Sequence, residues 1–398
     1  MGSTTSTAQE SLLGRIVFAI GAKLLPRDIE GGLLLTLPSG VAHRIGFERP
    51  GVTCDLQMRN YRPVWSAMRR GAVGFAESYM SGDLDSSDIT AVLRFYLQNR
   101  HVLDAAAKPV FYKSLVDRLF HMMRSNTRRG ARRNISEHYD LGNDFYGEWL
   151  DQTMSYSSAY FGGGANSLEA AQKAKYDLVL DGLDIGRNAH ILEIGCGWGG
   201  FAEAAADRGH KITGITISSE QLAFAKQRLK DRADLRFEDY RDTKGSYDAI
   251  ASIEMIEAVG EAHWPDYFRV LHDRLKPGGC AAVQAITIDE SFYEGYRTTT
   301  DFIQRYIFPG GMLPTRTILG EQARQAGLRF EPLQSFGHDY SRTLALWRDR
   351  FEAAWQAISQ LGFDEAFRRR WRYYLCYCEA GFTEQAIDVG VYRFRRVA

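Results

Sequence analysis

His190–Gly200, HILEIGCGWGG, is the stretch whose reading decides the fold. It is a short apolar strand ending in an acidic residue, then a glycine-dense turn, then the start of a helix at Phe201–Asp207. A strand running straight into such a turn aims backbone N–H groups and a helix N-terminus at whatever binds there. Gly195, Gly197 and Gly200 fit G-x-G-x-x-G by spacing, so a dinucleotide site must be considered. The chain beyond supports this. Lys211–Thr216 reads as a second strand, Ser218–Lys230 as a helix, Leu235–Phe237 as a third strand and Tyr247–Ile253 as a fourth. A helix over His263–Leu275 and a turn at Pro277-Gly278-Gly279 lead to a fifth strand, Cys280–Ile286. Strands alternating with helices at this spacing argue for an α/β fold with a parallel, doubly wound sheet. Ligands then sit at the carboxyl ends of the strands, where strand order reverses.

A nicotinamide enzyme places an acidic residue about twenty positions on, at the end of the second strand, for the ribose hydroxyls. This chain has Thr216-Ile217-Ser218 there. Instead, Glu193 precedes the first glycine and Asp239 follows the third strand. That arrangement resembles an S-adenosylmethionine-dependent methyltransferase, with the nicotinamide oxidoreductase as a disfavoured alternative.

The 398 residues suffice for two domains, and 49 basic against 49 acidic residues argue against bulk nucleic-acid binding. Cys54, Cys196, Cys280, Cys376 and Cys378 form no paired framework, which suggests a reducing compartment. The nine histidines form no ligand cluster, so no metal is expected. Residues 11–25 are apolar but carry Arg15 and Lys23, which fits an amphipathic helix and not a membrane span. Gly32–Ile45 reads as a hairpin turning at Pro38-Ser39-Gly40, and 63–80 and 86–101 read as helices. The expected organisation is a small mixed α/β, membrane-associated domain at 1–120, a linker at 121–135 and a catalytic domain at 136–398. The linker carries Arg124, Arg128, Arg129, Arg132 and Arg133. Such a run can also pin a protein to anionic head groups at ~1 kcal/mol per basic residue.

Further stretches resemble the cyclopropane-fatty-acid synthase family, with its mycolic-acid cyclopropane relatives. They are His138–Asp144, Tyr156–Phe161, the LEIGCGWGG turn, Thr216–Gln221, Asp239–Asp242, Tyr306–Gly311 and the region of Tyr340, Thr343, Leu344 and Trp347. The resemblance is strong over 135–398 and looser before it. It implies a class I methyltransferase: a Rossmann-like, mostly parallel seven-stranded sheet with helices on both faces. It also implies S-adenosylmethionine as cofactor, S-adenosylhomocysteine as product, and a cis double bond in a membrane phospholipid's acyl chain as substrate. Carried over, Tyr156 and Ser157 touch the methionine part, and Gly195 and Gly197 admit the cofactor to the backbone beside Glu193. Thr216, Ile217 and Gln221 hold ribose and adenine, which Asp239 and Tyr240 flank. The protein would be cytoplasmic, peripheral on the inner face of the membrane, and compatible with a homodimer. Phe292–Tyr296, Phe302–Phe308 and Trp371–Tyr377 are candidates for an acyl channel. A non-catalytic lipid-binding relative is the competing reading, disfavoured by retention of the whole cofactor motif.

Ring-forming members of that family hold a bicarbonate as base. Of the positions that hold it, Glu257 and Tyr340 are kept, but the cysteine position is Ser158 and the histidine position is Gln284. Glu254 stands where the family pattern usually has glycine, three residues before Glu257. If this segment begins a helical turn, the two carboxylates share a face and one pKa rises into a useful range for a base. Serine and glutamine can still hydrogen-bond an anion, so bicarbonate stays open as a ligand, but the expectation is that Glu254 fills the bicarbonate space with a protein carboxylate. A base tethered to the chain favours a methyl-branched or methylene product over a cyclopropane.

Overall fold

The computed structural model describes residues 28–107 and 141–397. The amphipathic segment expected at 11–25, the linker at 121–135 and His138-Tyr139-Asp140 lie outside the described residues. The described chain separates into two compact units, 28–107 with Phe363–Glu384, and 141–362 with 385–397.

In the first unit, β1 (Glu30–Thr36) pairs antiparallel with β2 (Ala42–Gly46), giving the expected hairpin, and parallel with β3 (Arg49–Met58). With β4 (Leu84–Asp85) the sheet runs β2-β1-β3-β4. Helices Arg62–Met80 and Ile89–Gln98 follow the expected positions. A third helix, Glu365–Thr383, joins them from far along the chain. Its Tyr373 ring lies 5.6 Å from that of Tyr79. Its Arg369 donates to the carbonyls of Tyr79 (2.6 Å) and Leu84 (2.8 Å). This differs from the single 136–398 domain expected. Trp371, Tyr373 and Tyr374 are buried in this helix. Its apolar periodicity says that a face is covered, not which unit covers it.

The second unit is built on β5 (His190–Ile194), β6 (Lys211–Thr216), β7 (Asp234–Phe237), β8 (Tyr247–Ile253), β9 (Leu275–Ile288), β10 (Leu328–Ser335) and β11 (Ile387–Arg396). The sheet order is β10-β11-β9-β8-β5-β6-β7. Strands β5 to β9 pair parallel, and β11 lies antiparallel between β9 and β10. Leu192, Ile194, Ile250, Ala281 and Val283 are buried, the near-continuous apolar pattern of strands covered on both faces. Strand order reverses between β5 and β8, which opens a crevice beyond their carboxyl ends. Helices Gly200–Asp207, Ser219–Leu229 and Trp264–Arg274 connect successive strands. At the turn after β5, Gly195, Gly197 and Gly199 take φ of +83°, +50° and +86°. Only glycine does this without strain. Among the described residues no helix is long and apolar enough to cross a membrane.

Candidate active site

β8 ends at Ile253, and the next residue, Glu254, turns the chain with φ +48°. That left-handed geometry costs a residue with a side chain ~1–2 kcal/mol. The Glu254 amide donates to the carbonyl of Gln284 on β9 at 2.8 Å, which fixes the turn against the sheet. The carboxylate meets donors from three elements. Its Oε1 accepts from the Ser158 amide (2.8 Å) and from Gln284 Nε2 (2.7 Å). Its Oε2 accepts from the Tyr340 hydroxyl at 2.7 Å. Ser158 contributes only its amide, because its hydroxyl donates to the Ala159 carbonyl at 2.9 Å. Glu254 is therefore not the first residue of a helical turn, as the spacing suggested. The short 3₁₀ turn begins after it, at Ile256–Ala258, and the strained residue aims its side chain independently.

Glu257 sits in that 3₁₀ turn and accepts from the Ile286 amide at 2.6 Å through Oε1. Its Oε2 is buried without a partner among the described residues. Burial, then the charge of Glu254, pushes its pKa up to about 8. Burial also raises Glu254 above the ordinary carboxylate range, but the Ser158 amide, Tyr340, Lys175 and Gln284 all favour its ionised form. Of the two, Glu254 has three donors that favour its charged form, whereas the charge of Glu254 disfavours ionisation of Glu257.

Of the residues expected on the cofactor side, Glu193 and Thr216 lie at the carboxyl ends of β5 and β6, and Asp239 follows β7. Glu193, near the end of β5, is buried with Oε2 unpartnered among the described residues, and burial pushes it up to about 8. A side chain at Gly195 would place Cβ 3.1 Å from Met255, so the turn abuts the segment carrying Glu254 and Glu257. Beyond β6, Ser218 caps the next helix by accepting from the Gln221 amide (3.3 Å), and the Thr216 hydroxyl contacts Gln221 Oε1 (3.3 Å). Ile217 lies between them in sequence. Asp239 is buried and paired with Arg241 at 2.6 Å, and the Tyr240 ring lies 5.8 Å from Tyr267. Tyr156 is boxed by the rings of Tyr146 (5.3 Å), Trp149 (5.7 Å) and Trp347 (5.4 Å). The glycine cradle and the orphaned acceptor of Glu193 fit a ligand carrying ribose hydroxyls and an amino acid end.

Two further residues complete the site. The fully buried Trp347 ring reaches both Tyr156 and, at 6.0 Å, Tyr340, and so backs cofactor side and base side together. Trp347→Ala is expected to lower stability by ~3–5 kcal/mol, read by denaturant unfolding. Lys175, which sequence reasoning passed over, is completely buried and donates to Ser157 Oγ at 2.6 Å. The signal for it was present. Gln172 and Lys175, three apart, lie on the buried face of helix Leu168–Gly182, beside Leu168, Ala171, Tyr176 and Val179.

The family model of mycolic acid cyclopropane synthetase matches residues 126–392. The chain belongs to this family. The tuberculostearic acid methyltransferase of Mycobacterium tuberculosis is 41% identical over 345 residues, 81% of this chain and 78% of that protein. The cyclopropane-fatty-acyl-phospholipid synthase of Escherichia coli K12 is 33% identical over 352 residues, 86% of this chain and 88% of its own length. Among solved structures, a mycolic acid cyclopropane synthase complexed with SAH (S-adenosylhomocysteine) and CTAB superposes with a TM-score of 0.63 at 28% identity. That match covers 66% of this chain and 98% of the other. This member of the mycolic acid cyclopropane synthetase family is an S-adenosylmethionine-dependent lipid methyltransferase, and the nicotinamide alternative is set aside.

Proposed function

We propose that this enzyme transfers the methyl of S-adenosylmethionine to a cis double bond in the acyl chain of a membrane phospholipid, with Glu254 as the base. The observation that carries this reading is the Glu254 carboxylate seated on Ser158, Gln284 and Tyr340. These are the positions at which, by resemblance, ring-forming relatives hold bicarbonate. With those donors engaged by a protein carboxylate, no free anion is required.

When bound, S-adenosylmethionine supplies a sulfonium-activated methyl. Tyr156 and Ser157 would hold its methionine portion, Gly195 and Gly197 would admit it to the backbone beside Glu193, and Thr216, Ile217, Gln221, Asp239 and Tyr240 would line its ribose and adenine. The alkene's π pair would form the new C–C bond to that methyl as its bond to sulfur breaks, the sulfur keeping the electron pair to give S-adenosylhomocysteine, and a cation would be left on the neighbouring alkene carbon. Ionised Glu254 would oppose that charge and then take a proton. Removal of a proton from the new methyl, with its C–H pair closing onto the cationic carbon, gives a cyclopropane. Removal from the carbon bearing the methyl, or from the methyl after a hydride shift, gives a branched or methylene alkene. We infer the second outcome, because a carboxylate tethered to the chain cannot take up all the positions open to a free anion. Glu257, holding its proton, keeps a second negative charge away from the base.

The reading is tested with pure protein, vesicles of cis-monounsaturated phospholipid and methyl-labelled cofactor. Label in the acyl chains supports it, whereas cofactor binding with no label in any chain would return the protein to a lipid-binding role. Tyr340→Phe removes a donor to the ionised form of Glu254, which raises that group's pKa further. Activity requires the ionised form, so the acid limb of the pH–rate profile should move to higher pH. Turnover at neutral pH should fall about tenfold, the effect of one hydrogen bond to a charged group.

A further inference from the structure

Lys175 is a cation whose charge favours ionised Glu254 but which gives up and takes no proton in the proposed reaction. It is fully buried, on helix Leu168–Gly182, and among the described residues its one hydrogen-bond acceptor is Ser157 Oγ at 2.6 Å. The ammonium also lies 4.3 Å from the Tyr176 ring centroid. An ammonium carries three donors and no acceptor, so most of its hydrogen-bonding capacity is unspent. The charges of Glu254, Asp151 and Glu193 reach it, yet none of them makes an ion pair with it among the described residues. A buried charge short of partners is costly, and an ionic ligand is one group that can complete it.

The local geometry indicates which ligand. Gln172 Nε2, one turn before Lys175, donates to the Ser157 carbonyl at 3.0 Å, so the same helix face grips Ser157 at backbone and side chain. Because Lys175 can only donate, Ser157 Oγ accepts from it, and the hydroxyl hydrogen must point elsewhere as a donor. A donor hydroxyl backed by a buried cation is a receptor for an anion. Ser157 lies between Tyr156, in its aromatic box, and Ser158, whose amide holds Glu254.

We infer that Lys175 and Ser157 form the receptor for the α-carboxylate of the cofactor's methionine end, with Lys175 as the positioning residue that turns Ser157 into a donor and supplies the positive charge. The inference rests on the cofactor assignment above. It makes Lys175 the group that distinguishes a carboxylate-bearing cofactor from one without it.

The test is calorimetric binding of S-adenosylhomocysteine and of its decarboxylated analogue, an aminopropylthio-adenosine, to the full-length protein. The wild type should prefer the carboxylate-bearing ligand ~10–100-fold, the range for a hydrogen bond to a charged group. Lys175→Met should bring that preference to within about threefold, by weakening the first ligand and not the second. Ser157→Ala, which keeps the buried cation, should reduce the preference too, and Lys175→Arg should restore part of it. Should the Met variant fail to fold, the Ser157→Ala and Lys175→Arg pair decides the matter. A wild-type preference persisting in Lys175→Met or Ser157→Ala overturns the inference. So does a Lys175→Met enzyme changed only in its pH–rate profile, since Lys175 would then serve Glu254 alone. Failure of the wild type to bind either ligand would instead refute the cofactor assignment.

Discussion

A Glu254→Gln enzyme is expected to bind S-adenosylhomocysteine as the wild type does and to transfer methyl groups ~10²–10⁴-fold more slowly, the usual loss for a missing general base. The amide keeps the volume of the carboxylate. Its oxygen can accept from the Ser158 amide and Gln284, and its NH₂ can donate to Tyr340, so the site should stay assembled. What is lost is the capacity to take a proton. Glu254→Gly gives a sharper result. Glycine adopts φ +48° without strain, and the same donors are then left for a small planar anion. Added bicarbonate is therefore expected to restore part of the rate in the glycine variant and none in the glutamine variant. The restored product should shift toward the ring. Methyl-label incorporation with acyl-chain mass spectrometry reads both effects.

Gly195→Val should abolish cofactor binding while leaving the protein folded. The residue has φ +83°, and its Cβ would lie 3.1 Å from Met255. A left-handed penalty of ~1–2 kcal/mol adds to overpacking of ~1–3 kcal/mol where the cofactor must approach the backbone. The expected loss of S-adenosylhomocysteine affinity is ~100-fold or more, measured by calorimetry. Gly295→Ala is the control. A Cβ there meets nothing within 4 Å, and affinity should be unchanged.

The sheet was largely legible in the sequence because its signals are local. β6 and β8 begin and end where the apolar runs do, and the acidic residue before Gly195 identified the cofactor class. The presence of Glu254 where glycine is usual was legible too, but not how it works. Spacing suggested a helical turn shared with Glu257. In the structure, backbone strain at Glu254 and donors from Ser158, Gln284 and Tyr340 set its direction. Those donors lie 96, 30 and 86 residues away in sequence, and no local pattern encodes such a meeting. Ser158 was named for its side chain but meets Glu254 through its amide, which any residue except proline would supply. Lys175 was hidden because lysine on a helix normally reads as a solvated face. Helix Glu365–Thr383 was assigned to the wrong neighbours because an amphipathic pattern does not name its partner.

The central claim is that the base is built into the chain. It is tested most directly by acyl-chain mass spectrometry of the wild-type reaction in rigorously carbonate-free buffer and again with added bicarbonate. Equal rates and an unsaturated, methyl-branched or methylene product are expected in both. A saturated cyclopropane product that forms only when bicarbonate is present would contradict it and restore the free anion as the base.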